Sequence, residues 1–304
     1  MLAALLDLDD ALTSQRRLRQ AVTSVGGKLV DGRDLGPALR LWSRPPAMQQ
    51  LRERVQQYLP ATLGPALVFS GSGDFHHITA ILLERALAAS GEAAVTVLHF
   101  DNHPDWVKFG PGAHCGSWVG KAARLPGVAR VITIGVCSAD LGDAKQADLQ
   151  PVLDGLVEIY PYRSDFPAVA LWTCNPGARS IEGLGEAEFT DFLPQRIETG
   201  AVYITIDKDV LRPEDAGTNW DQGRTSLDLL QALLARALRG RRLIGADVVG
   251  DWSKPIYGGG FLSKALKWGE AMLDQPWRAP SAEQRLLNET VNLALLDHLQ
   301  AVAQ

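Results

Sequence analysis

Short runs rich in Val, Ile, Leu and aromatic residues, each closed by turn residues, alternate along the chain with stretches whose apolar positions recur every three or four residues. A continuous apolar run of four to eight residues suits a strand buried on both faces, and the stretches between are long enough to be crossover helices. This alternation restricts the fold to α/β, a mainly parallel central sheet flanked by helices in three layers. Strands are expected at Ala66–Phe69, at Val95–Phe100, and at residues 130–136, 156–160, 168–172, 201–206 and 243–249. Helical spacing covers residues 79–89 and 226–238, and 48–58 reads as a surface helix. Residues 281–302 open on Ser-Ala-Glu-Gln, close to a capping box, and continue as a closing helix packed on the sheet. Apart from the surface helix, residues 1–60 form a segment of uncertain structure. No repeat and no long Gly, Ser or Pro stretch interrupts the chain, so residues 1–304 are expected to form a single domain.

The totals exclude several functions. With 46% hydrophobic and 21% charged residues the chain has globular composition. A formal charge of -5 lacks the basic excess of a phosphate-backbone binder, so nucleic acid is not an expected partner. No apolar run approaches the length of a membrane span, and the opening MLAALLDLDD carries acids where a signal peptide has basic residues. Three cysteines without a CxxC pair indicate neither a disulfide framework nor a thiolate zinc site, and a cytoplasmic location is expected.

Five of the six histidines fall between positions 76 and 114, which points to a site. Within that stretch VTVLHFDNHPD runs from an apolar strand straight into Asp101, His103 and Asp105. Alternate residues of an extended chain project to one side, so these groups converge just past the strand's carboxyl end, where parallel α/β sheets bind ligands. YITIDKDVL repeats the arrangement with Asp207 and Asp209. Either motif alone is compatible with a solvated acidic loop. Together they bring four carboxylates into one place, and such like charges need cations. A pair of divalent ions meets that need, and imidazole with carboxylate suits Mn, Fe, Zn or Ni. The turn SGSGDFHHIT adds His76 and His77 at a helix start, without the pattern of a phosphate loop, and GAHCGSW presents His114 in a loop of small residues.

In the order GSGDFHHIT, HFDNHPD, GAHCGSW, TIDKDVLRPEDAGT and LIGADVVGDW, residues 66–252 resemble the ureohydrolase family of arginase, agmatinase and formiminoglutamase, as a divergent member. The resemblance implies the arginase-like fold and two Mn2+ ions held by His76, Asp101, His103, Asp105, Asp207 and Asp209, with His77 the alternative to His76. It implies a hydrolase cleaving a C–N bond of a small guanidino or amidino compound, a linear amidine, and releasing urea or an amide together with an amine. Asp105 would accept a hydrogen bond from the nucleophile, and His114 would shuttle protons at the cleft mouth. The family's guanidinium-facing glutamate is replaced by Gly250, which leaves Asp251 or Asp221 as substrate-binding candidates and makes free arginine and agmatine unfavoured substrates. Homo-oligomers are compatible with this reading. Two alternatives remain: a metal-dependent deacylase related to the histone-deacetylase-like enzymes, suggested by the His76-His77 pair and by a Gly-rich turn ending in Phe261, or an inactive metal-binding scaffold.

Overall fold

The computed structural model describes residues 1–142, 146–276 and 278–303. Eight strands, β1 (Leu2–Asp7), β2 (Lys28–Asp31), β3 (Ala66–Phe69), β4 (Val95–Phe100), β5 (Val128–Ile134), β6 (Val157–Tyr160), β7 (Ala201–Asp207) and β8 (Arg242–Val249), form one sheet. Its order is β2-β1-β3-β8-β7-β4-β5-β6, and every neighbouring pair is parallel. The longer helices are α1 (Arg16–Ser24), α2 (Pro45–Tyr58), α3 (Thr79–Ser90), α4 (Leu227–Leu238), α5 (Phe261–Asp274) and α6 (Ala282–Val302). No described helix is long and apolar enough to cross a membrane.

The period of two along each strand divides the core into two layers. Leu98, Phe100, Val202, Ile204 and Ile206 face α4 and α6, against Leu230, Leu233, Leu295 and Leu299. Val95, Val97, Ala201 and Tyr203 face the other way, against Leu51 and Val55 of α2 and Ile81 and Leu82 of α3. Every residue of β3, β4 and β7 is buried, as expected of strands covered on both faces. The closing helix has the anticipated start: Ser281 accepts from the Gln284 amide while the Gln284 side chain accepts from the Ser281 amide.

Three local expectations change. Residues 168–172 lie in a short helix, Ala168–Cys174, where Leu171 and Cys174 turn inward at helical spacing while Val169 and Trp172 stay exposed. The strand expected to reach residue 136 stops at Ile134, because Gly135 turns the chain at φ +103°. The illegible first residues supply β1, between β2 and β3, and β2 at the sheet edge. LAALLD has no β-branched residue, and only its pairing to strands on both sides makes it extended.

The strand order sets β3, β8, β7 and β4 side by side at the centre, so the turns that leave their carboxyl ends meet over one spot. At the end of β8 the chain reverses through Gly250 at φ +95°, and a Cβ there would stand 2.4 Å from Asp207 Oδ1 and 2.5 Å from the Lys208 amide nitrogen. The backbone therefore excludes any larger residue where the resembled family has glutamate. Gly250→Ala is expected to lose at least about 1–3 kcal/mol from the strained backbone alone, read as a lower urea midpoint, and to displace Asp207.

Candidate metal centre and its cleft

The site is built outward from β4. His99, Asp101, His103 and Asp105 follow one another at alternate positions across the end of this strand. His99 is fully buried, with Nδ1 3.0 Å from the Thr133 hydroxyl of β5 and Nε2 2.9 Å from Asp101 Oδ2. The other Asp101 oxygen accepts from the His103 amide at 2.6 Å. The chain then turns through Asp105 at φ +47°, and the Trp118 indole N–H donates to its Oδ2 at 2.6 Å. From β7, Asp207 accepts from the Asp209 amide at 3.1 Å, and Asp209 accepts from the Asn102 amide at 3.0 Å while lying 2.9 Å from His103 Nδ1. The turn after β3 brings in His76, whose Nε2 meets the Thr205 hydroxyl at 2.9 Å. Its Nδ1 lies 3.0, 3.2 and 3.7 Å from oxygens of Asp101, Asp105 and Asp207. That approach is made possible by Gly73, where a Cβ would come within 2.6 Å of Asp207 Oδ2.

His76, and not His77, therefore faces the carboxylates. His77 is buried on the other side of the turn, with neither ring nitrogen hydrogen-bonded. The motif's aspartate serves the scaffold: buried Asp74 takes bonds from Arg40 Nε at 2.6 Å, Gln275 Nε2 at 2.6 Å and Trp220 Nε1 at 3.0 Å, tying three distant segments to the turn.

Burial and mutual repulsion of the carboxylates set the electrostatics of the cluster. Burial opposes ionisation of Asp101, but the imidazoles of His103, His76 and His99 beside it hold its carboxyl well below the usual range. Burial and the Asp101 charge push Asp207 up to about 7 and raise Asp105 as well. Burial, with Asp101 and Asp207 beside it, drives Asp209 well above the ordinary carboxylate value. Burial disfavours the charged form of His76 and His103, yet the carboxylates around them raise both well above a free imidazole.

The donor set fits metal ions. Atoms of His76, His99, Asp101 and Asp105 lie within 4.8 Å of one another, as do atoms of Asp101, His103 and Asp209, so Asp101 belongs to both groups. His76 Nδ1, buried, makes no hydrogen bond of its own. All donors are nitrogen or oxygen; the nearby Cys115 thiol is pushed well upward by burial and stays protonated. His99 is a donor outside the family's motif, and its signal in the sequence is its place two residues before Asp101 on the same strand face.

His76, Asp101, His103, Asp105, Asp207 and Asp209 line a cleft of about 520 Å³ whose walls include Trp106, Lys108, Phe109, His114, Trp220 and Glu270. His114 Nδ1 accepts the Gly116 amide at 2.9 Å, which places the ring proton on Nε2, 2.5 Å from Glu270 Oε1. Glu270 comes from α5, 156 residues further along the chain. Neither substrate candidate lines the cleft. Asp251 is buried in an ion pair with Lys208 Nζ and accepts from Asn292 Nδ2 at 3.1 Å. Asp221 holds His103 Nε2 at 2.8 Å and the Asn102 amide group at 3.0 Å, with its side chain mostly in solvent.

A parallel eight-stranded sheet with an acidic, imidazole-rich cluster at the carboxyl ends of its central strands is the arginase-like α/β fold. Among solved structures, the chain is similar to a proclavaminate amidino hydrolase from Streptomyces clavuligerus, at 17% identity and TM-score 0.54 over 85% of this chain and 70% of that one. It is similar to a hypothetical agmatinase from Burkholderia thailandensis, at 17% identity and TM-score 0.56 over 100% and 86% of the two chains. An arginase from Entamoeba histolytica, solved with L-ornithine, matches at 11% identity and TM-score 0.57 over 89% and 97%. No family model matches the sequence, and no curated protein matches it.

Proposed function

We propose that the protein is a hydrolase that uses two Mn2+ ions to cleave a C–N bond of a guanidino or amidino compound, releasing urea or the matching amide and an amine. The observation that carries this reading is the convergence of two donor groups sharing Asp101 at the floor of a substrate-sized cleft. The ligands would be His76, Asp101, His103, Asp105, Asp207 and Asp209, with His99 orienting Asp101. Such ions would lower the pKa of a bound water so that hydroxide is available near neutral pH. The names of the solved neighbours, arginase, agmatinase and amidino hydrolase, favour a guanidino or amidino substrate.

Glu270 supplies the carboxylate that Gly250 lacks. It stands on the cleft wall beside His114, where a guanidinium presented to the floor finds a charged acceptor. The rest of the substrate lies among Trp106, Phe109 and Trp220, with Lys108 available to an anionic end. The His114–Glu270 pair holds one proton between two basic atoms; it takes a proton from the attacking water and returns it to the departing amine, because a neutral amine leaves far more easily than an amide anion. Glu270→Gln keeps the hydrogen bond but not the charge. It is expected to raise KM about tenfold to a hundredfold, in line with roughly 1.5–3 kcal/mol for a hydrogen bond to a charged group, and to leave metal content unchanged.

The deacylase alternative loses its supports. His77 is outside the cleft, and Phe261, 91% exposed, stands in solvent. A cytoplasmic setting agrees with three free, buried cysteines. The deciding experiment is a chromatographic screen of Mn-loaded protein against guanidino compounds, with urea and ammonia as readouts. Arginine and agmatine are expected to be poor substrates compared with another guanidino compound, since Gly250 leaves no carboxylate at the strand end and a guanidinium met instead from α5 sets the remainder of the molecule in a different part of the cleft. A kcat/KM for arginine above about 10⁴ per molar per second, within the ordinary enzyme range, overturns this specificity. Absence of turnover on every amidine tested favours the inactive scaffold.

A further inference from the structure

The two imidazoles nearest the carboxylates of both strand ends are held from behind by different groups. His76 turns Nε2 to the Thr205 hydroxyl at 2.9 Å, and that hydroxyl donates in turn to buried Asp247 at 3.0 Å. His103 turns Nε2 to the Asp221 carboxylate at 2.8 Å, at the surface, where the Asp221 side chain is 64% exposed. The other nitrogen of His103, Nδ1, lies 2.9 Å from Asp209 Oδ2 and 3.5 Å from Asp101 Oδ1, within the second donor group.

An exposed carboxylate orients nothing unless it is itself held, and Asp221 is. Asn102, fully buried and placed between Asp101 and His103 in the chain, donates from Nδ2 to the Asp221 carbonyl at 2.9 Å and to its Oδ2 at 3.0 Å. The main-chain amide of the same asparagine donates to Asp209 Oδ1 at 3.0 Å, so one residue sets both acids that flank the His103 ring. The loop carrying Asp221 is tied to the turn after β7: the Gly223 amide donates to the Asp209 carbonyl at 2.6 Å, and Gln222 Nε2 donates to the Leu211 and Ala216 carbonyls at 3.1 and 2.8 Å. A Cβ at Gly223 would stand 2.5 Å from the Val210 carbonyl oxygen, so only glycine lets the loop lie this close. Trp220, one residue before Asp221, sets its ring edge-on to His103 with centroids 5.8 Å apart.

An imidazole can offer either nitrogen to an ion, and the group bonded to the other nitrogen decides which. A charged acceptor holds that proton more strongly than a neutral hydroxyl does. We infer that Asp221 is a positioning residue of the metal centre. By accepting the Nε2 proton it keeps His103 in the tautomer whose bare Nδ1 faces Asp101 and Asp209, and it makes that nitrogen the more basic. The inference rests on reading the cluster as a metal centre. It makes the centre's two halves unequal: the His103 side depends on a surface carboxylate, the His76 side on a buried hydroxyl.

The test strips the full chain with EDTA and titrates it with Mn2+, the free ion being counted by electron paramagnetic resonance. Asp221→Ala is expected to weaken one of the two equivalents about tenfold to a hundredfold, the usual cost of removing the partner of a ligating histidine, and to leave the other as in wild type. Asp221→Asn, which keeps an acceptor and loses the charge, should fall between. A second measurement reports the bond itself: in the Zn-loaded protein the His103 Nε2 proton should give a slowly exchanging ¹H–¹⁵N ring resonance that is lost in Asp221→Ala. Wild type that binds no Mn2+ overturns the metal reading and this inference with it. Wild type that binds two ions while Asp221→Ala binds both with unchanged affinity overturns the inference alone. Equal weakening of both equivalents, which makes Asp221 only a nearby charge, overturns it too, as does a His103 ring resonance that survives in the variant.

Discussion

Asp101→Asn is expected to leave the protein with less than one bound metal equivalent after Mn loading, where the wild type holds close to two. Asp101 is the one residue common to both donor groups, and it is the carboxylate that stays ionised when burial raises Asp105, Asp207 and Asp209. Removing one charged partner from a buried ionic cluster costs about 3–5 kcal/mol, which weakens metal binding roughly 10²- to 10⁴-fold. Asp207→Asn should follow, because Asp207 feels the Asp101 charge and an oxygen of it lies 3.7 Å from His76 Nδ1, although it stands outside both donor groups. Stability gives a second measurement. At a hundred times the dissociation constant a ligand adds about 2.7 kcal/mol to folding stability, so Mn should raise the wild-type unfolding midpoint by several degrees over an EDTA-treated sample. The Asp101→Asn protein should show almost no such rise. Elemental analysis that finds no transition metal in Mn-loaded wild type would sink the metal assignment altogether.

His114→Ala should lose turnover roughly 10²- to 10⁴-fold, the usual contribution of positioned proton transfer, while binding both metals as wild type does. The imidazole is held from two sides, by the Gly116 amide on Nδ1 and by Glu270 on Nε2, and neither contact involves a donor of the metal cluster. Added imidazole should restore part of the lost rate, because the variant leaves a ring-sized space beside Glu270. A variant that loses a metal equivalent would make His114 a ligand. One that keeps full activity on its true substrate would reduce the histidine to the cap of its short helix, a function it already performs.

Much of the sheet was legible because strands buried on both faces must be apolar throughout, and β3, β4, β7 and β8 read that way. The misread stretch 168–172 has the composition of a strand, but Pro167 precedes it and its apolar residues divide between core and solvent at helical spacing. Composition cannot separate a four- or five-residue strand from one turn of helix. β1 failed in the opposite direction: Leu and Ala favour helix when alone, and the ladder bonds of two neighbours outweigh that preference.

What the sequence by itself determined is the chemistry at the strand ends. Two-residue periodicity is a local property, so His99 and Asp101 share one side at the end of β4, while Asp105 and Asp209 join them past the strand ends, through a φ +47° turn and a short 3-10 helix. The tertiary structure alone decided which distant groups meet them. It turned His76 toward the carboxylates and His77 away, a choice made by a short 3-10 turn and the close approach of Gly73 to Asp207. It placed Asp251 under the sheet end against Lys208, and it swung α5 across the mouth so that Glu270 faces His114. Those contacts join residues 43 and 156 positions apart. No periodicity reaches that far along a chain; such pairs form only when the layers close around a common core.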